Sequence, residues 1–238
     1  MRTLNYLVPA ILLSLTTFAY GVNRQVPSEY ATIQAAINAA DNNDVVIIAD
    51  GVYTGPGNQE MYFLGKAITV RSENGPSSCL VDCGGASAGF YFDNGETSNS
   101  LLEGIAIKNA SYYAISTVDS SPTITNCVIT EYAGINCSGG SPSIIGCSLN
   151  NCYGQGGIIL SGCNGAYITN CSMTNGGTGI FSTGSTADIN GCVIKFNYAQ
   201  SSYFGRNRYG GGIYWEGGSE TIRKIGRASC RERVCLYV

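Results

Sequence analysis

The chain contains no histidine. That absence excludes imidazole general bases, histidine-relayed nucleophiles and histidine-ligated metals. Charge is scarce too. Only 12% of residues are charged, and between residues 22 and 222 seven Lys+Arg stand against fifteen Asp+Glu, a net of −8. That balance excludes nucleic acid, or any polyanion held by a basic groove. An acidic polysaccharide bound through calcium stays open. Across residues 80–222 no stretch repeats its apolar residues at the helical period. Leucine there is limited to Leu80, Leu101, Leu102, Leu149 and Leu160, which excludes the dense ladder of a leucine-rich repeat.

What is present is a repeat built around cysteine. Thr123-Ile-Thr-Asn-Cys127, Ser143-Ile-Ile-Gly-Cys147, Tyr167-Ile-Thr-Asn-Cys171 and Asp188-Ile-Asn-Gly-Cys192 share one pattern, with 20, 24 and 21 residues between successive cysteines. Weaker copies are Cys79-Leu-Val-Asp-Cys83 and Ser100-Leu-Leu-Glu-Gly104. A second phrase alternates with the first, at Gly89-Phe90, Ala114-Ile115, Gly134-Ile135, Gly157-Ile158, Gly179-Ile180 and Gly212-Ile213. Each period holds short runs that alternate apolar and polar, bounded by Gly, Ser and Asn. Such runs are strands and turns. A period near 20–24 residues means a solenoid, in which each strand pairs with its equivalent in the next coil.

The fold expected is therefore all-β: a right-handed parallel β-helix with a short N-terminal capping helix. Stacking turns each repeat position into a column. Leu80, Leu101, Ile124, Ile144, Ile168 and Ile189 are expected to point inward. Cys83, Gly104, Cys127, Cys147, Cys171 and Cys192 form a small-residue column beside them. Asp82, Glu103, Asn126, Gly146, Asn170 and Gly191 fall at a bend, where Asn and Gly tolerate left-handed backbone and stacked Asn side chains can hydrogen-bond along the ladder. Cysteine in such a column packs as a small apolar side chain, although the one-coil spacing of the ladder cysteines also fits a disulfide, and Cys79 with Cys83, or Cys137 with a neighbour, could pair. Zinc is disfavoured because the ligands would lie in a line.

With these columns in place, the chain resembles the pectin-lyase-like superfamily of parallel β-helices over residues 25–222. The resemblance implies the fold, and a polysaccharide as the class of partner. It does not choose among lyases, esterases, hydrolases and non-enzymes.

The ends carry their own signals. Residues 1–21 read as a secretory signal peptide: Arg2, an apolar stretch over residues 6–18, and Ala19-Tyr-Gly21 as a cleavage site. Export follows, to an extracellular or cell-surface location, with no membrane span once the signal is removed. Residues 22–222 form the β-helix domain. Within it, residues 31–40 are the helix cap, with Ile33, Ala36, Ile37 and Ala40 on one face. Residues 223–238 break the repeat. Ile225-Gly-Arg-Ala-Ser-Cys-Arg-Glu-Arg-Val234 resembles a translated sequencing adapter, so this tail is expected to be non-native and the β-helix to continue into further coils.

Candidate site residues follow from outward positions. Lyase, esterase and hydrolase chemistry on such a scaffold needs acids converging from adjacent coils. The fourth position after the second phrase is Asp93, Val118, Ser138, Ser161, Thr183 and Glu216, which never places two acids on neighbouring coils. Asp93 with Glu96 is the one local pair that could hold calcium, although Asp93-Asn-Gly95 also reads as a turn. No other cofactor is implied. Arg71 is expected to pair with Glu73. The insertion over residues 195–211 carries Arg206 and Arg208 and reads as either a binding loop or a solvated one. The column Tyr91, Ser116, Asn136, Ile159, Phe181 and Tyr214 should face outward. Tyr91, Phe181 and Tyr214, with Trp215 beside them, are candidates for stacking on sugar rings.

Two functions stay open. One is a secreted, non-catalytic, adhesin-like module that binds polysaccharide or cell-surface glycan. Gly-Gly-Gly-Ile-Tyr214 resembles repeats of such exported proteins. The other is a polysaccharide-active enzyme of the pectate lyase, pectin esterase or glycoside hydrolase type.

Overall fold

The computed structural model describes residues 21–153, 156–198, 211–229 and 236–237. The signal segment up to residue 20, residues 199–210 with Arg206 and Arg208, and most of the tail beyond Ser229 lie outside the described residues.

The chain winds into a parallel β-solenoid of about seven turns. Three strand positions recur per turn and stack into three sheets. The first sheet runs through Asn23–Val26, Val45–Ile48, Thr69–Ser72, Leu101–Glu103, Thr123–Thr125, Ser143–Ile145 and Asn164–Thr169. The second runs through Gly51–Thr54, Cys79–Asp82, Ala106–Lys108, Val128–Thr130, Ser148–Asn150 and Ser172–Thr174. The third runs through Met61–Tyr62, Ala88–Phe92, Tyr113–Val118, Gly134–Ser138 and Ile158–Ser161. Near the C-terminal end the long strands Ile180–Lys195 and Ile213–Ser229 pair in parallel and bend through all three positions.

The helix Ile33–Ala39 sits where an amphipathic cap was expected, with Ile33, Ala36 and Ile37 buried. Thr32 caps its N-terminus, its Oγ1 accepting from Ala35 N–H at 3.2 Å. Its other end is capped from the next turn. The Lys66 ammonium donates to the carbonyls of Ile37 (2.8 Å), Asn38 (2.8 Å) and Ala40 (2.7 Å). A cation there satisfies orphaned carbonyls and complements the helix dipole.

The expected columns hold from Ile124 onward and shift before it. Ile124, Ile144, Ile168 and Ile189 stack in register, but the residue that joins them is Leu102, preceded by Val70 and Val46. Leu101 lies one position off, and Leu80 belongs to the second sheet. The bend column is Gly104, Asn126, Gly146, Asn170 and Gly191, all left-handed, with φ between 53° and 65°. Gly104 is thus a bend residue, Ile105 takes the cysteine slot, and Cys79 rather than Cys83 extends that column. The reason is a longer bend over residues 73–78, which moves Cys79-Leu-Val-Asp82 one sheet further round. Asp82 and Glu103 are strand residues. Asn126 and Asn170 never occupy neighbouring coils, so no Asn-on-Asn ladder forms at this bend.

All nine described cysteines are buried free thiols. In the ladder, Cys127 donates to Thr125 O (3.4 Å), Cys147 to Ile145 O (3.6 Å), Cys171 to Thr169 O (3.3 Å) and Cys192 to Asn190 O (3.5 Å). Burial pushes the thiols of Cys79, Cys83, Cys137 and Cys152 up to about 12. They are packing groups, neither nucleophiles nor thiolate ligands.

Candidate functional site

The outward face of the third sheet is the surface on which the expected aromatic residues come together. Its register runs Tyr62, Tyr91, Ser116, Asn136, Ile159, Phe181 and Tyr214, one residue per turn. The flanking columns point inward: Phe90, Ile115, Ile135, Ile158, Ile180 and Ile213 on one side, and Phe92, Thr117, Cys137, Leu160, Ser182 and Trp215 on the other.

The aromatic side chains form two stacked pairs. Tyr62 and Tyr91 lie with ring centroids 4.7 Å apart and planes 15° apart. Phe181 and Tyr214 lie 5.0 Å apart at 9°. Four coils separate Tyr91 from Phe181, about 19 Å at the ordinary strand spacing of about 4.8 Å. Between the pairs the column narrows to small or buried groups, Ser116 and Ile159 among them. Tyr62 was missed at the sequence level because Met61-Tyr62 lacks the Gly-Ile phrase that marks the other coils.

Trp215 does not join this face. Successive strand residues point to opposite sides, so with Tyr214 outward Trp215 turns inward, where it is 8% exposed and packs in the core. Its expected place beside the stacking column is corrected accordingly.

Burial, with smaller contributions from Asp93 and Glu60, pushes the Tyr62 phenol above its ordinary value. Burial does the same for Tyr91, with Tyr62 and Glu60 adding to it. Both therefore present neutral hydroxyls at neutral pH. The Tyr214 hydroxyl donates to Glu216 Oε2 at 3.2 Å.

Glu96 is 2% exposed. Its Oε1 accepts from Gly65 N–H (2.8 Å), and its Oε2 accepts from Asn94 N–H (3.0 Å) and the Ser120 hydroxyl (2.9 Å). These donors come from its own turn and from both neighbouring turns, so the carboxylate clamps three coils. Asp93 is exposed, and its Oδ1 accepts from Asn94 Nδ2 at 2.8 Å. A calcium ion needs six or more oxygen ligands with free lone pairs, and N–H and O–H donors aimed at Glu96 do not fit one. Among the described residues no three His, Cys, Asp or Glu side chains converge as a metal-binding group. Arg71 donates to Ser72 O at 3.0 Å and forms no ion pair with Glu73. Ion pairs among the described residues are Arg24–Asp44 (2.7 Å) and Lys108–Asp82 (3.4 Å). Among the described residues no helix is long and apolar enough to cross a membrane.

No protein-family model matches the chain, and no curated protein matches it. Solved structures similar to it include three pectin methylesterases. One is a variant in complex with a hexasaccharide, 12% identical, covering 86% of this chain and 79% of that chain, with a TM-score of 0.48. Another, from carrot, is 14% identical, covers 87% and 84%, and has a TM-score of 0.43. The third, from rice weevil, is 11% identical, covers 91% of both, and has a TM-score of 0.37. At these identities the likeness is one of solenoid architecture and says nothing of chemistry.

Proposed function

We propose that this β-helix is a non-catalytic, exported carbohydrate-binding module whose third sheet presents aromatic rings to a polysaccharide or cell-surface glycan. The observation that carries this reading is the pair of outward stacks, Tyr62–Tyr91 and Phe181–Tyr214, on one face. Flat, half-exposed aromatic surfaces match the apolar faces of pyranose rings, and phenol hydroxyls at their edges supply hydrogen bonds. The two stacks suit an extended chain better than a single sugar. A hydrolytic or eliminative reading requires acids on adjacent coils. On this face Asp93 and Glu216 stand at opposite ends of their column, and the residues between them are Val118, Ser138, Ser161 and Thr183.

The test is a glycan array probed with the folded protein, run beside assays for methanol release and for new chain ends on methylated and unmethylated polygalacturonate. Binding without turnover, reduced about tenfold by Tyr214→Ala, is the expected result, equivalent to about 1.4 kcal/mol. Turnover of either substrate would establish the enzymatic alternative instead.

A further inference from the structure

A second surface lies at the bend between the second and third sheets. There an open groove of about 790 Å³ is lined by Gly84, Gly85, Asn109, Ser111, Glu131, Tyr132 and Tyr153, among others. These residues come from four successive turns, so the groove runs along the solenoid axis for about 14 Å, three coil spacings of about 4.8 Å. Gly84 and Gly85 leave its floor open: a Cβ on Gly85 would meet nothing within 4 Å.

The backbone at this bend sets one turn apart. Its column is Asn109, Glu131, Asn151, Asn175 and Phe196, all left-handed, with φ between 57° and 63°. Asn is the residue such a position favours. Glu131 and Phe196 both depart from that rule, and the Glu131 turn alone in this column continues the departure, since Tyr132 is also left-handed at φ 85°. Two consecutive non-glycine residues in this region store strain, and retained strain of this kind clusters at functional sites. Here it turns a large aromatic side chain out of the solenoid. Tyr132 is 62% exposed, and Tyr153 on the next coil is 41% exposed. The Tyr132 N–H donates to Asn151 O (3.0 Å), and the Tyr153 hydroxyl donates to Asn151 Oδ1 (3.5 Å).

The charge of the lining selects the ligand. Glu131 is the one acidic residue of this lining, which holds no lysine or arginine. The nearby Lys108 is committed to Asp82, which also accepts from Asn109 Nδ2 at 2.9 Å. A carboxylated sugar would meet repulsion there, uncompensated by any cation among the described lining residues. Tyrosine faces, amides and one carboxylate acceptor fit a chain of neutral hexopyranoses. We propose that this groove is a neutral-oligosaccharide binding site, separate from the third-sheet face and independent of the reading given for it.

The test is calorimetric titration of the folded protein with neutral hexasaccharides of glucose, mannose and galactose, and with hexagalacturonate as the acidic comparator. At least one neutral probe is expected to bind, with affinity falling about tenfold or more in Tyr132→Ala and in Tyr153→Ala. Tyr167→Ala, at an exposed tyrosine of the first sheet outside both surfaces, leaves that affinity unchanged. A loss in Phe181→Ala or Tyr214→Ala in place of those two would put the binding on the third-sheet face and overturn the proposal. Tyr132→Gly supplies the second readout. It relieves the left-handed strain, so it should raise the melting temperature while abolishing binding, which a residue kept for packing would not do. Failure of every neutral probe to bind at millimolar concentration would overturn the proposal. So would tighter binding of hexagalacturonate, binding that survives both tyrosine substitutions, or a lower melting temperature in Tyr132→Gly.

Discussion

Asn126 and Gly146 occupy the same bend on adjacent coils, and the Oδ1 of Asn126 stands 2.7 Å from where a Cβ on Gly146 would be. Two turns further the arrangement repeats, with Asn170 Oδ1 closer still to where a Cβ on Gly191 would be. Each asparagine leans over the glycine that follows. The alternation of Asn and Gly down this column is thus a packing rule between coils as well as a local choice of left-handed residues.

Gly146→Ala therefore meets two penalties, a left-handed alanine and a clash. The expected loss is about 1–3 kcal/mol by urea denaturation. Gly162→Ala is the control: its φ is 63°, but a Cβ there meets nothing within 4 Å. It should show the backbone penalty alone. Asn126→Gly in the Gly146→Ala background should recover the difference, and equal losses at both glycines would refute the packing rule.

Glu96 holds three coils through donors that would be left unpaired without it. Glu96→Ala is expected to lower stability by about 2–4 kcal/mol, and Glu96→Gln by less, since the amide keeps one acceptor. Calcium chloride should leave the wild-type melting temperature unchanged. A rise that disappears in Glu96→Gln would instead make this clamp a calcium site.

Asp44 ties the first strand to the turn after the helix. It accepts from Val22 N–H (2.7 Å), Arg24 Nε (2.7 Å) and Asp41 N–H (3.0 Å). Burial pushes its carboxyl up, but the Val22, Asp41 and Arg24 hydrogen bonds outweigh that and hold it below its usual range. A depressed folded-state value contributes stability that is present above the unfolded value of about 3.9 and is lost as pH falls through the folded one. Asp44→Asn should be less stable than the wild type at pH 7, by roughly 2–4 kcal/mol. The gap should close as both are titrated below the ordinary carboxylate range. A gap independent of pH would show that the carboxylate charge is not what stabilises this turn.

The nine described cysteines should be silent to a thiol reagent such as DTNB at pH 8 in the folded protein and react on unfolding. Burial closes all nine to the reagent and raises most of the thiols, whereas Cys127, lowered by its hydrogen bond with Cys147, is protected by inaccessibility alone. Cys147→Ala, at the centre of the ladder, should cost about 1–2 kcal/mol through the cavity it leaves. Fast labelling of a ladder cysteine in the native state would contradict the packing role.

Much of the architecture was legible in the residues because a solenoid repeats its local rules. The inward and outward positions of the third sheet follow from alternation and from the Gly-Ile phrase, and every residue assigned to its outward column stands there. The same rule, applied one residue further, would have turned Trp215 inward. The register of the early coils was not legible. Leu80, Leu101 and Gly104 imitate the pattern of later coils, but the length of the bend over residues 73–78 carries Leu80 into the second sheet, and Leu101 and Gly104 stand one position off in the turn of the first.

Repeat length, strand periodicity and turn residues, all local in sequence, determined that this chain is a capped parallel β-helix with buried cysteine ladders. Tertiary structure decided what lies opposite each side chain on the next coil. It brought Tyr62 onto Tyr91, filled the lone pairs of Glu96 from Gly65 and Ser120, and opened a groove beside Tyr132. Such contacts join residues 20 or more positions apart, and the lengths of the intervening bends set their register.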